Sequence, residues 1–228
     1  MQNMTCIVFP SLSDDVFAQV DLAAETRIAL DTSAKVNPMR DGHVQEVLLD
    51  AVRRKHKCDH TYGGYGEDRS EMWRGFEDKS KKMIHLGIDV NNLDAGTPLT
   101  VPRPCTVVHT SYDAEHFNGW GGRVVLEMET AFRGCKFLIV GHLDPDTLPG
   151  VGTHIKYGEM LGLVGGKDSN GGWFTHVHFQ LAKNFEAACD IDGYLLDSDI
   201  DMVPDDYAAD PTELLFAAAP VKENTIKT

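Results

Sequence analysis

The stretch Thr175-His176-Val177-His178-Phe179-Gln180 constrains this chain more than any other. Side chains alternate between the two faces of a β-strand, so a strand here aims both imidazoles at one face. Two ring nitrogens placed together imply a shared task. Upstream, His85-Leu86-Gly87-Ile88-Asp89 sets a histidine and a carboxylate at a spacing that also converges, and Gly141-His142-Leu143 lies between the two segments.

The surrounding texture supports strands. After Lys82 the runs Leu99 to Val108, Arg123 to Met128, Phe137 to Val140 and Val177 to Leu181 are rich in β-branched, aromatic and aliphatic residues. Glycines between Gly119 and Gly166 supply turns and bulges, which suits short antiparallel connections better than helical crossovers. Before Lys82 the pattern is helical. Val16, Phe17, Val20, Ala24 and Ile28 recur at helical spacing behind a Ser13 cap. A second helix runs from Asp41 through Val44, Val47, Leu48 and Val52, with Arg53, Arg54 and Lys55 where the helix dipole favours cations. Tyr62-Gly63-Gly64-Tyr65-Gly66 reads as a loop.

The expected fold is mainly β (α+β overall), an antiparallel sheet core with an N-terminal helical extension. The expected organisation is an extension and lead-in loop over 1–81, a central domain over 82–188 and an acidic tail over 189–228 that packs back on it. Asp190, Asp192, Asp197, Asp199, Asp201, Asp205 and Asp206 in that tail do not make a calcium loop, because the glycine and closing glutamate of an EF-hand are not at their positions.

Composition excludes several classes. A formal charge of -14 and a pI near 5.0 oppose nucleic acid and anionic membrane as partners, since both select basic surfaces. The five cysteines are odd in number and without close pairs, so they read as reduced and mostly buried thiols. No basic segment followed by an apolar run opens the chain, and nothing approaches the roughly 20 apolar residues of a membrane span. Cytoplasmic residence is the expectation.

Catalytic zinc commonly takes three nitrogen or oxygen ligands from protein and keeps a fourth position for water. The five side chains singled out above have that composition, whereas any one histidine among the ten in the chain is more often a surface or hydrogen-bonded residue. Gly87 and the β-branched Ile88 and Val90 weaken a helix at His85–Asp89, so an extended presentation is expected.

In order, His-x-x-x-Asp, Gly-His-Leu and His-x-His-Phe resemble the lysostaphin and LytM-type zinc endopeptidases, the peptidoglycan metalloendopeptidases of the LAS superfamily. The resemblance runs from about Lys82 to Lys183 and includes Ala95-Gly96-Thr97-Pro98-Leu99 and Gly158-Glu159-Met160-Leu161-Gly162-Leu163-Val164-Gly165. It implies an antiparallel LytM-like core, with His85, Asp89 and His178 as zinc ligands and His142 and His176 as the catalytic pair beside the attacked carbonyl. Which of the pair is the general base stays open. The approach Asn170-Gly171-Gly172-Trp173-Phe174-Thr175 departs from the short Gly-Ser/Thr-Gly of many members, and Trp173 either lines the groove or fills the core beneath it.

Asn170 to Gln180 also resembles a peptidase-like module fused ahead of class III aminotransferases in some large cytoplasmic proteins, and Tyr65-Gly66-Glu67-Asp68-Arg69 with Trp73-Arg74 matches its lead-in. Arg69 or Arg74 either binds a substrate carboxylate or, the favoured reading, forms a structural ion pair. The resemblance implies a zinc metallopeptidase acting on a short peptide or muropeptide. The alternatives are a catalytically silent LytM-like binding module and a cytoplasmic hydrolase of another small amide.

Overall fold

The computed structural model describes residues 4–32, 42–70, 82–113, 119–190, 192–196 and 208–218. Trp73, Arg74 and the aspartates from Asp197 to Asp206 lie outside them.

Ten strands form one sheet, in the order β10-β7-β8-β9-β12-β5-β3-β2-β1-β14. Its centre is β12 (His176–Ala182), between β9 (Cys135–Leu143) and β5 (Gly87–Asn91), antiparallel to both. On one side continue β8 (Gly122–Phe132), β7 (Cys105–Tyr112) and β10 (His154–Ile155); on the other continue β3 (His60–Gly63), β2 (Phe17–Gln19), β1 (Met4–Cys6) and β14 (Phe216–Ala218). All neighbours are antiparallel except β2 and β3. Two small pairs complete the architecture, β6 (Pro98–Thr100) with β11 (Met160–Leu163), and β4 (Met83–His85) with β13 (Tyr194–Leu196). The protein is mainly β, with helices α1 (Leu22–Thr32), α2 (Gly42–His56), α3 (Phe185–Asp190) and α4 (Thr212–Leu215).

The face of the sheet away from the histidines carries the main core. Val177, Phe179 and Leu181 of β12 meet Ile88 and Val90 of β5 and Leu138 and Val140 of β9, all nearly inaccessible to water. Burial of such side chains stabilises by about 1.5–3 kcal/mol each. The opposite face is covered in two parts. At one end α3 lies over Val125, Phe137, Ile139 and Ala182 through Ala188. At the other, Leu22 and Ala23 of α1 and Leu49 of α2 pack on Trp173 and Phe174. The site lies between these two covers.

Several local expectations change. The first helix begins at Leu22 rather than near Ser13, capped by the Asp21 carboxylate, which accepts the Ala24 N–H at 2.7 Å. Residues 17–19 are instead a strand, because Phe17 and Ala18 are buried by parallel pairing with β3 and Phe17 stacks on His60. Tertiary pairing overrides the helical spacing there. In α2 the inward residues are Gln45, Leu49 and Val52, while Val44 and Val47 are 42% and 54% exposed. The expected strand Leu99 to Val108 divides into β6 and β7 around Pro102 and Pro104, which lack the N–H a ladder needs. Strands from all three segments expected by sequence join the one sheet.

Among the described residues, no helix is long and apolar enough to cross a membrane. All five cysteines are free, and four are buried.

Candidate metal centre

The sheet register assembles the site. His178 pairs across strands with Asp89 on one side and Gly141 on the other. Directly opposed side chains share a face, so the Asp89 carboxylate meets the His178 ring. His85, Gly87 and Asp89 share that face by alternation, as extended chain requires. Gly87 makes room: a Cβ there would stand 2.6 Å from the His178 ring and 2.4 Å from the Phe179 carbonyl.

The facing atoms are close. His85 Nε2 lies 3.1 Å from His178 Nδ1, His178 Nδ1 lies 2.9 Å from Asp89 Oδ1, and His85 Nε2 lies 3.5 Å from the same oxygen. With metal–ligand bonds of about 2.0–2.2 Å, two corners of a zinc tetrahedron are about 3.3 Å apart. The three spacings bracket that edge.

The tautomers supply a second test. The Nδ1–H of His85 donates to the Gly64 carbonyl at 3.1 Å, and the Nε2–H of His178 donates to Gln180 Oε1 at 3.0 Å. With each ring's one proton assigned to that outward bond, a bare lone pair remains on the nitrogen aimed at the other. Two lone pairs facing at 3.1 Å repel unless a cation lies between them. The donor set therefore fits a divalent metal ion, and among the described residues it is the one His/Cys/Asp/Glu group whose ligand atoms converge in this way.

Arg69 completes the carboxylate's surroundings. Buried to 3% exposure, it donates from Nη1 to Asp89 Oδ2 at 2.6 Å and from Nε to Glu67 Oε2 at 2.7 Å. It is thus a structural ion pair, and its target is the carboxylate of the candidate metal cluster. Holding Oδ2 leaves Oδ1 turned to the histidines. Gly64 lets the chain approach, with φ +113° and a position where a Cβ would collide with Arg69 Nη2 at 2.3 Å.

His142 and His176 stand beside the cluster, their ring centroids 4.2 Å apart. His142 Nδ1–H donates to the Asn170 carbonyl and His176 Nδ1–H to the Phe174 carbonyl, both at 2.8 Å. Each therefore keeps Nε2 as an acceptor. His176 Nε2 is 4.0 Å from Asp89 Oδ1. His142, one residue before the end of β9, lies in the left-handed region, φ +67°, fixed by its N–H to the Trp120 carbonyl at 2.8 Å and by the Gly165 N–H on its own carbonyl at 2.9 Å. Uncommon backbone of this kind clusters at functional sites.

Burial sets the charge states. It drives His85 down to about 3, with the Arg69 charge adding to the effect. His142 falls well below its usual value through burial and the neighbouring His176 and His178, and His176 falls through burial. For Asp89 burial acts upward, but charge outweighs it, and the Arg69 guanidinium on Oδ2 is the permanent cation that holds the carboxyl well below the usual range. An ionised carboxylate beside uncharged imidazoles is the state a metal ion requires.

All five residues singled out in the sequence line one cavity, with Arg69, Gly119, Trp120, Trp173, Phe174, Asp192, Gly193 and Tyr194. Trp173 both lines it and packs against the helical cover, donating from Nε1 to the Gly119 carbonyl at 3.0 Å. Sequence reasoning missed Gln180, Asn170 and Trp120. Gln180 was within reach, two residues beyond His178 and hence on its face; Trp120 had no such signal.

No family model and no curated protein matches the chain. Among solved structures it is similar to LytU, at 22% identity over 63% of this chain and 83% of that one, with a TM-score of 0.40. It is also similar to the catalytic domain of the antimicrobial peptidase lysostaphin from Staphylococcus simulans, at 21% identity over 56% and 76%, TM-score 0.39. A zinc-containing peptidase from Vibrio cholerae matches at 22% identity over 42% of this chain and 26% of its own length, TM-score 0.35. At these scores the likeness carries no functional weight, and the chemistry rests on the side chains described above.

Proposed function

We propose that the chain is a zinc-dependent metallopeptidase that hydrolyses an amide bond in a short peptide, with His85 Nε2, Asp89 Oδ1 and His178 Nδ1 holding the metal. The observation that carries this reading is the convergence of two imidazole nitrogens and one carboxylate oxygen at tetrahedral-edge spacing. Zinc bound there supplies a Lewis acid for the amide carbonyl and lowers the pKa of a water molecule toward about 7.

His142 and His176 then carry the protons. Both are uncharged near neutrality because they are buried, and both present Nε2 as an acceptor. One ring takes the proton of the attacking water, and the resulting imidazolium passes it to the departing amine. A cationic ring beside the attacked carbonyl also stabilises the negative charge that develops on its oxygen. Neither role needs a covalent intermediate, and none of the five residues is a nucleophile.

The test pairs two substitutions with metal analysis. His142→Ala abolishes cleavage of oligoglycine or muropeptides, followed by mass spectrometry, while the purified protein retains one equivalent of zinc. His178→Ala loses both. Full turnover in His142→Ala, or unchanged zinc in His178→Ala, overturns the reading.

A further inference from the structure

The cavity over these residues is small, and its walls are tied down. Its free volume is about 50 Å³, room for roughly three to five water-sized groups at about 10–15 Å³ each. Each of the five proposed functional side chains is at most 7% exposed.

Three walls close around them, each fixed through backbone or buried contacts. Trp173 and Phe174 form the first. Asn170, fully buried, donates from Nδ2 to both their carbonyls at 3.2 and 3.3 Å and accepts the Trp173 N–H at 3.1 Å. Gln45 of α2 accepts the Phe174 N–H at 3.1 Å, which locks this wall to the helical cover. Gly193 and Tyr194 form the second, held by the pairing of Tyr194 with His85 and by the Leu86 N–H on the Gly193 carbonyl at 2.9 Å. Trp120 is the third, with its ring under the Arg123 guanidinium at 4.5 Å and its N–H on Asp113.

An extended polypeptide adds about 3.3 Å of chain per residue and must leave a through-site at both ends. The free volume of about 50 Å³ holds about three to five heavy-atom groups, about one glycine residue of such a chain. Charge narrows the ligand further. Among the described lining residues Arg69 is the one Lys or Arg, and it is committed to Asp89 and Glu67, whereas Asp192 sits exposed at the rim. A carboxylate entering the cavity meets no side-chain cation to pair with; an amine at the rim meets a carboxylate.

We infer that the site takes a small neutral or amine-bearing amide, of dipeptide size or less, rather than a polymer threaded through it. This rests on the metal-site reading above and specifies its substrate class.

The experiment uses the full chain loaded with zinc and two hydroxamates that share a metal-binding head, acetohydroxamate and triglycine hydroxamate. Binding is followed by calorimetry and by quenching of tryptophan fluorescence, since Trp120 and Trp173 line the cavity. Acetohydroxamate should bind at least tenfold more tightly. A smaller preference, the reverse order, or no binding of either probe to zinc-replete protein overturns the inference. Failure of the protein to hold zinc at all overturns the proposed function and this inference with it, so the two failures are separable.

Discussion

The two faces of β12 are equally buried and chemically opposite. Val177, Phe179 and Leu181 on one face are at most 1% exposed, and His176, His178 and Gln180 on the other at most 4%. The apolar face is stabilised by contact area and needs only shape. The polar face needs an acceptor for every proton, and the chain provides one for each: Phe174 O for His176 and Gln180 Oε1 for His178. What those hydrogen bonds leave over is lone pairs pointed inward. One strand therefore separates stability from chemistry by alternation alone, and substitutions on its two faces should fail in different ways.

The largest contrast is Phe179→Ala against His178→Ala. Phe179→Ala should lower the unfolding free energy of the metal-free protein by about 3–5 kcal/mol in urea titrations, with zinc still bound by the folded fraction. His178→Ala should cost less than half as much, because it also removes one of two facing lone pairs, yet lose zinc in a competition assay. Equal stability losses with zinc retained in both would break the distinction.

Next in size is Arg69→Met. Removing the cation leaves Asp89 and Glu67 buried without their partner, and losing one half of a buried pair costs about 3–5 kcal/mol. Adding Glu67→Gln should recover part of that loss, measured in the same urea titration. A loss near zero for the single variant would show that the guanidinium contributes nothing to the carboxylate's placement.

Gln180→Leu keeps volume and removes the acceptor of His178 Nε2–H. Zinc affinity should fall about 10–100-fold, the usual effect of losing a hydrogen-bond partner behind a metal ligand. Unchanged affinity would mean that the tautomer is fixed some other way.

The gentlest effect is on pH. In the native metal-free protein His85, His142 and His176 are all pushed below 6.5, so they stay uncharged while the unfolded chain takes up protons. Stability is then fully present above pH 6.5 and declines as pH falls below it, toward the value of about 3 for His85. The slope approaches about 1.4 kcal/mol per pH unit for each such histidine. A flat profile between pH 7 and 5 would contradict burial of the polar face.

The sequence was most legible where period and chemistry agreed. Alternation at 176–181 placed the strand and both imidazoles, and Gly87 between His85 and Asp89 argued for extended chain, as found. Legibility failed where long-range pairing decided. Phe17 has helical spacing but lies in a strand paired with residues more than forty positions on, and β1 pairs with β14 from the far end of the chain. Arg69 shows the same limit, since nothing local indicates that a residue twenty positions from Asp89 grips its second oxygen. The tautomer-fixing carbonyls of Gly64, Asn170 and Phe174 were illegible for a simpler reason: any residue type has a carbonyl.

His142 occupies backbone space that glycine or asparagine enters with less steric cost. A selection that rewarded heat resistance alone would therefore drift toward those residues at position 142. Its winners would be sturdy proteins with the His85, Asp89 and His178 cluster intact and the proposed proton carrier missing, which makes retained turnover an indispensable second criterion in any attempt to harden this scaffold.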